Sequence, residues 1–202
     1  MAGDGLAGDP VFAVTVRATN LAHRATENLF TGLELGAPAD WVKQQLGAPT
    51  RVSHEWWGYR FSDSLVCLTF DPGGSLQTIA VALTDPTVTF EFPTWHFECP
   101  PLGRITLRDV TGVEHLDLEF RESLRHQELR VTGREGPTGA WHYIAFGALD
   151  PNIPGSLFVT EFEWDRQKGA LVSQPQHVIV NWAALSTTSS IDGIPWDFAI
   201  PT

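Results

Sequence analysis

The chain has 202 residues, and its 24 acidic side chains against 13 basic ones give a formal net charge of −11. An acidic surface repels the phosphate backbone, so a function that depends on broad phosphate neutralisation is excluded and we expect no nucleic-acid partner. With 43% hydrophobic and 18% charged residues, the composition is that of a folded globular chain and not of a disordered one. The 8 tryptophans are the second unusual feature, because tryptophan is effective both in cores and as an interface anchor.

Two helices are predicted in the first part of the chain, behind a flexible lead at residues 1–8. Asp9–Pro10 supplies an N-cap followed by proline at the first helical position, which predicts a helix from there to about Phe30. Its apolar residues recur at helical spacing, at Val14, Ala18, Leu21, Ala25 and Leu29. A shorter helix is predicted over Pro38–Leu46, because Gly47 can end it in the left-handed conformation.

The pattern then changes to the residue types and turns that are typical of strands. His54–Phe61, Leu65–Phe70 and Leu76–Leu83 predict a three-strand antiparallel meander with a turn at Asp71–Gly74. The segment Glu119–Arg130 is ambiguous, because its Leu, Glu and Arg content would also suit a helix. Seven later segments also have strand character, namely Val88–Phe97, Arg104–Val110, Glu114–Glu122, Glu128–Thr132, Trp141–Leu149, Leu157–Trp164 and His177–Trp182.

Together these elements predict an α+β fold in which an N-terminal helical pair packs on an antiparallel β-meander and a second β-rich portion follows. The first unit is predicted over residues 9–85 and the second over residues 86–202, since Asp85–Pro86 and the prolines from Pro93 to Pro101 interrupt the pattern. One continuous domain remains the alternative. At this length, folding buries roughly 70% of the unfolded surface, which is enough for a core that is stable without disulfides or a structural metal.

Neither a targeting segment nor a membrane span is predicted. The first residues lack a charged region followed by a continuous apolar run, and no stretch approaches the roughly 20 apolar residues that a transmembrane helix needs. We therefore expect a cytoplasmic protein. Cys67 lies within an apolar strand and Cys99 is the only other cysteine, so two reduced structural thiols are favoured over one disulfide or a redox role.

Five short segments form a recognisable series, namely Gly32–Gly36, Asp40–Lys43, Leu46–Pro49, Trp57–Phe61 and Leu68–Asp71 with Gly74. Over residues 32–83 this series resembles the SmpA/OmlA-like unit of BamE-type outer-membrane lipoproteins, which occurs in tandem in the β-lactamase inhibitor protein fold. In such units a short helix ends in a leucine-glycine-x-proline turn, a strand with Trp or Tyr follows, and the next strand closes on Phe-Asp and a glycine turn.

The resemblance implies a noncatalytic α+β module that presents a sheet face or loops to another protein. The chain departs from the lipoprotein pattern because no cysteine stands near its first residue to be lipidated, and Cys67 lies within a predicted strand. It departs from the inhibitor pattern because its second half has no second helix with a leucine-glycine-proline ending. Membrane anchoring therefore does not carry over, and enzyme inhibition is an analogy.

The candidate binding residues are four tryptophans: Trp56, Trp57, Trp95 and Trp141. Tryptophan combines a large apolar area with one N–H donor, which suits both cores and recognition surfaces. Consecutive residues of a strand point to opposite faces, so Trp56 and Trp57 can both be buried only if both faces of their sheet are covered. Core packing is the commoner role for any one tryptophan, but we expect one or two of the set on a recognition surface.

No catalytic, metal or cofactor site is predicted. The acidic alternations at Asp117 and Glu119, beside His115, and at Glu161, Glu163 and Asp165 are explained equally well as solvated strand faces. His96 and Glu98 before Cys99 superficially match a zinc deaminase, but the chain has no third cysteine to complete the ligand set. The sequence also contains no phosphate-binding loop, dinucleotide fingerprint or nucleophile elbow.

The function favoured by the sequence is a noncatalytic protein-binding or accessory module, such as an inhibitor, an immunity-type protein or an assembly factor. Tryptophan anchors and an acidic surface would provide its contacts, and a basic protein partner would match them. A small hydrolase or carbohydrate-active domain is the alternative from another class, and it requires two carboxylates roughly 5 to 10 Å apart in a concave site lined by tryptophan. A structural subunit of a larger assembly is the third hypothesis.

Overall fold

A computed structural model describes residues 24–25, 28–124, 126–137, 139–151, 157–189 and 191 of the chain. Within these residues the dominant feature is one large antiparallel sheet, accompanied by a few short helices. The flexible lead and most of the first predicted helix lie outside the described residues.

The helices in the described part of the chain are all short. They are α1 at Leu29–Gly32, α2 at Ala39–Leu46, α3 at Leu107–Val110 and a single 3-10 turn at Pro175–His177. The prediction for α2 is confirmed, and Gly47 ends it with a φ of 80°. Among the described residues, no helix has both the length and the apolar character that crossing a membrane requires.

The described part of the chain contains ten strands. The meander predicted at the start of the β-rich region is confirmed, because the second strand pairs with the third and the third with the fourth, each antiparallel. The described residues of the ambiguous segment Glu119–Arg130 form the end of the fifth strand and the start of the sixth. The bounds are β1 Arg51–Val52, β2 Trp56–Arg60, β3 Ser64–Phe70, β4 Leu76–Leu83, β5 Leu116–Glu122, β6 His126–Glu135, β7 His142–Pro151, β8 Trp164–Asp165, β9 Ala170–Leu171 and β10 Trp182–Ser186.

Eight of these strands form a single sheet in the order β1-β2-β3-β4-β10-β7-β6-β5, and β8 and β9 form a separate two-stranded ribbon. The last strand, β10, inserts between β4 and β7, with Ala184 opposite Ala80 on one side and Ala145 on the other. Strands from both sides of residue 85 therefore belong to one sheet. This topology corrects the predicted fold, in which a helical pair covered a separate meander: the molecule is β-rich, and its sheet continues across both predicted portions.

Four predicted strands are wrong. His177–Trp182 begins in the 3-10 turn, forms one isolated bridge between Ile179 and Thr106, and reaches β10 only at its last residue. Val88–Phe97 forms only one isolated bridge, between Phe90 and Leu102, because Pro93 has no N–H to donate to a ladder. Arg104–Val110 instead ends in α3, where Thr106 and Asp109 form a reciprocal capping box that satisfies the first backbone N–H groups. Leu157–Trp164 is irregular until its last residue, which begins β8.

The end of the first predicted helix also differs from the prediction. Arg24 and Ala25 lie in neither helix nor strand, and the backbone N–H of Ala25 donates to the Asp63 carboxylate at 3.1 Å. Within the described residues, the first helix begins at Leu29. A tertiary hydrogen bond to Asp63 thus takes the place of the helical one that the apolar spacing predicts.

The sheet separates two apolar cores, one on each face. The larger core lies between one face of the sheet and the layer formed by α1, α2, α3 and the loops around them, and it includes Phe30, Phe92 and Phe146. The smaller core covers the opposite face of β3, β4, β10 and β7 and contains small residues around the buried Trp182. Both faces of the central strands are therefore buried, and the exposed features concentrate at the ends of strands and in the loops.

Candidate functional site

Two half-exposed tryptophans lie where the end of β6 and the start of β7 face the loop at residues 94–99. Trp95 is 46% exposed and Trp141 is 45% exposed, which is unusual for so large an apolar side chain. His96 lies beside Trp95 in the loop, and His142 follows Trp141 at the first residue of β7. We call these four residues, together with the carboxylate of Glu135 at the last residue of β6, the Trp–His cluster.

Glu135 holds the loop against the sheet. Its Oε1 accepts hydrogen bonds from the backbone N–H groups of Trp95 at 3.3 Å and His96 at 3.1 Å. Its Oε2 bonds Nδ1 of the His96 ring, and the residue itself is only 3% exposed. Within the loop, the Thr94 hydroxyl donates to the carbonyl oxygen of Phe97 at 2.7 Å and closes the turn. The loop is therefore held in position by one buried carboxylate with three donors.

The charge state of Glu135 follows from these contacts. Burial of its side chain opposes ionisation, but the hydrogen bonds from the His96 ring and from the backbone of His96 and Trp95 favour the carboxylate. The net result is a pKa for Glu135 below its ordinary value. At neutral pH the cluster thus rests on a buried, ionised carboxylate that is fully engaged by donors.

The rings of the cluster stack across the two segments. The ring centroids of Trp95 and His142 are 5.3 Å apart, and those of His96 and Trp141 are 6.2 Å apart with nearly parallel planes. Trp95 therefore packs on His142 at the start of β7, and His96 packs on Trp141 directly before it. This mutual packing fixes the side-chain rotamers while it leaves nearly half of each indole surface open to solvent.

A second concave feature adjoins Trp141. It is a groove of about 740 Å³ on the face of β5 to β7 that lies opposite the larger core. Asp117 and Glu119 project into it from β5, and Arg130 and Tyr143 line it from β6 and β7. Glu119 is engaged by Arg121 at 2.9 Å, in an exposed ion pair. The groove is thus lined by charged side chains of β5 and by the exposed indole of Trp141.

The other two candidate tryptophans lie far along the sheet, on β2. They point to opposite faces, as the period of two predicts, so that Trp57 packs on Phe70 in the larger core and Trp56 contacts the smaller one. The Arg51 guanidinium lies over the Trp56 ring at 5.7 Å from its centroid. Both are partly buried. The structure therefore brings Trp95 and Trp141 together and leaves Trp56 and Trp57 in a separate region.

The remaining sequence candidates fall in separate places. His96 and Glu98 do not share a strand face, because their segment is a loop. Asp165 accepts hydrogen bonds from the backbone of Gln167 and Lys168 in the turn between β8 and β9. Within the described ranges, no three His, Cys, Asp or Glu side chains are grouped so that they could hold a metal ion.

Sequence reasoning missed Glu135 and its bond to His96. The two residues are 39 positions apart, so no spacing rule connects them. One signal was present: Glu135 shares the core-facing period of Leu129 and Val131 on β6, where a carboxylate is out of place. A charged residue at the end of an apolar strand face, with no local partner, indicates a tertiary contact.

The chain matches no protein-family model, no curated protein and no solved structure. The resemblance of residues 32–83 to the SmpA/OmlA-like unit therefore stays a prediction from their sequence. The function has to be argued from the geometry of the Trp–His cluster and of the groove beside it.

Proposed function

We propose that this chain is a noncatalytic protein-binding module, such as an inhibitor, an immunity-type protein or an assembly factor, and that it binds its partner through the Trp–His cluster. The observation that supports the proposal is a pair of half-exposed indoles, that of Trp95 on a loop anchored by Glu135 and that of Trp141 directly before β7. Rigid aromatic side chains bury a large area on binding and lose little conformational entropy, which is why they dominate interface hot spots.

The charge of the chain supports a basic partner. A net charge of −11 would steer a positively charged protein toward the surface and accelerate encounter. Such steering weakens as salt is added, because the Debye length falls to about 3 Å at 1 M ionic strength. Capture of the partner should therefore be slower at high salt, while contacts made by the indoles persist.

The experiment compares capture of partners from a cell extract by the wild-type protein and by Trp95→Ala and Trp141→Ala variants. We expect each variant to capture at least tenfold less partner than the wild type, since a central aromatic anchor contributes about 2 kcal/mol or more to the binding free energy. Val52→Ala is the matched control, because Val52 is 63% exposed on β1, at the opposite half of the sheet. Equal capture by all four proteins, with folding intact, would refute the proposal.

A second candidate function, a carbohydrate-active hydrolase, is favoured by one observation in the groove. Asp117 and Glu119 lie two residues apart on one strand face, roughly 7 Å along the strand, and share the groove with Trp141. That spacing fits the separation used by glycosidase carboxylates. The test is hydrolysis of a panel of aryl glycosides by the wild type and by Asp117→Asn and Glu119→Gln. This function is supported if the wild type releases the aryl group and both variants do not. It is refuted if the wild type releases none.

A further inference from the structure

His96 presents a hydrogen-bond acceptor to solvent at the centre of the Trp–His cluster. An ionised carboxylate only accepts hydrogen bonds, so the His96 Nδ1 that faces Glu135 must carry the proton. A ring that carries this single proton has its lone pair on Nε2, on a side chain that is 57% exposed. The buried carboxylate thus selects the tautomer of the ring, and with it the polarity that a partner meets.

The surroundings of Nε2 are electron-rich. The shallow concavity beside it has a volume of about 630 Å³ and is lined by Thr94, Trp95, His96, Phe97, Glu98 and Cys99. None of these six lining residues is a lysine or an arginine. The Glu98 carboxylate is exposed at the rim, and the Trp141 ring stacks on the other side of His96. Indole faces, an imidazole lone pair and a carboxylate together form a site that attracts a cation and repels an anion.

We propose that this concavity receives an arginine side chain of the protein partner. The inference rests on the proposed function and names the chemistry of the contact. A planar guanidinium can stack on the Trp95 indole while its N–H groups donate to His96 Nε2 and to the Glu98 carboxylate. Arginine suits the site better than lysine, because the site combines a flat aromatic face with two acceptors. The net charge of −11 is complementary to such a partner.

The experiment follows the indole N–H signals of Trp95 and Trp141 by NMR while short capped peptides are added. The three peptides differ only in a central arginine, citrulline or glutamate. We expect the arginine peptide to shift both signals with an affinity on the order of millimolar, and the two others to bind at least tenfold more weakly. Citrulline keeps the shape of arginine and removes its charge. Equal shifts with arginine and citrulline, or no shift with arginine, would overturn the proposal.

Two variants test whether the acceptors of Glu98 and His96 bind the arginine peptide. Glu98→Gln should weaken binding of the arginine peptide about tenfold, whereas Glu114→Gln is the control, because Glu114 is also exposed but lies outside the concavity. His96→Phe keeps a flat ring and removes the lone pair, so it should also weaken binding about tenfold. Unchanged affinity in both Glu98→Gln and His96→Phe would contradict the proposed contacts.

The peptide experiment and the capture experiment fail independently. If arginine and citrulline peptides bind alike while Trp95→Ala still abolishes partner capture, the arginine site is wrong and the binding function stands. If partner capture does not depend on Trp95 and Trp141, the binding function itself is wrong, whatever the peptides do.

Discussion

At the scale of single residues, Glu135 contributes both to the stability of the fold and to the chemistry of the proposed binding surface. Its carboxylate is buried at the end of β6 and gathers three donors from a loop that has no other link to that strand among the hydrogen bonds described above. The same contact that fixes the loop also fixes the tautomer of His96. A change at Glu135 should therefore alter both the stability of the fold and the chemistry of the surface above it.

Replacing Glu135 with glutamine should destabilise the protein by about 2 kcal/mol at neutral pH, because the charge-assisted bond to His96 is lost. The pKa of Glu135 is lower in the folded state than its ordinary value of 4.5, so its contribution is complete above that value and is lost as pH falls through the folded pKa. The difference between variant and wild type should therefore shrink below about pH 4.5. Urea unfolding at several pH values measures it, and a difference that grows toward acid pH would contradict the assignment.

The two cysteines should be unreactive in the native protein. Both are free thiols, and burial raises the pKa of Cys67 to about 12. Burial, with a smaller contribution from the charge of Asp109, raises the pKa of Cys99 to about 12 as well. The thiolate is the reactive form, so iodoacetamide at about pH 8 should modify neither thiol in the folded state and both in guanidinium. Rapid modification of native Cys99 would show that its loop opens readily.

At the scale of elements, the contact between β7 and β10 depends on one glycine. Gly147 lies directly opposite Trp182 in the ladder, and the buried Trp182 ring occupies the space above it. A Cβ built on Gly147 would overlap the indole ring. The Arg130 guanidinium lies over the same ring at 5.7 Å from its centroid. Glycine is therefore required here by the close approach of an aromatic side chain from the neighbouring strand.

Gly147→Ala should destabilise the protein by about 3 kcal/mol, because a methyl group cannot fit without moving Trp182 or the strand. The matched control is Gly32→Ala in α1, where an added Cβ meets no atom within 4 Å. That variant should be neutral or up to about 1 kcal/mol more stable. Thermal unfolding followed by circular dichroism distinguishes the two. Equal stability of both variants would mean that the ring of Trp182 does not occupy this position.

At the scale of the whole molecule, Asn181 links the segments that meet where β10 enters the sheet. Its side-chain oxygen accepts from the N–H of Leu149 at 2.9 Å, and its amide donates to the carbonyl oxygens of Leu149 at 2.8 Å and Phe158 at 2.7 Å. Its backbone carbonyl accepts from the N–H of Leu83 at 2.8 Å. One buried residue therefore joins β4, β7, β10 and the segment after β7, through its side chain and its backbone.

Asn181→Ala should cost about 3 kcal/mol, because it leaves several buried backbone groups of Leu149 and Phe158 without their partner. If the sheet unfolds as one unit, tryptophan fluorescence and circular dichroism should give the same midpoint, and the variant should shift both by the same amount. Asn28→Ala is the control, since Asn28 is exposed and its side chain caps no N–H of α1. Separate midpoints for the two probes would indicate that the portions before and after residue 85 unfold independently.

Local patterns in the sequence determined the elements whose structure depends on neighbouring residues. The strands β2, β3 and β4, the end of α2 at Gly47 and the opposite faces of Trp56 and Trp57 follow from periodicity and turn chemistry. The segment Val88–Phe97 has the same residue types and yet forms no strand. Periodicity detects which side chains can be buried, but it does not detect whether a neighbouring strand is available to pair.

Only the tertiary structure decided the sheet order and the composition of the Trp–His cluster. The acidic balance and the 8 tryptophans indicated recognition, but they did not distinguish Trp95 and Trp141 from Trp56 and Trp57. The pairing of β10 between β4 and β7 and the bond from Glu135 to His96 join residues that are distant in the chain. Such contacts depend on how the strands assemble, and the local spacing of residues in the sequence contains no information about that assembly.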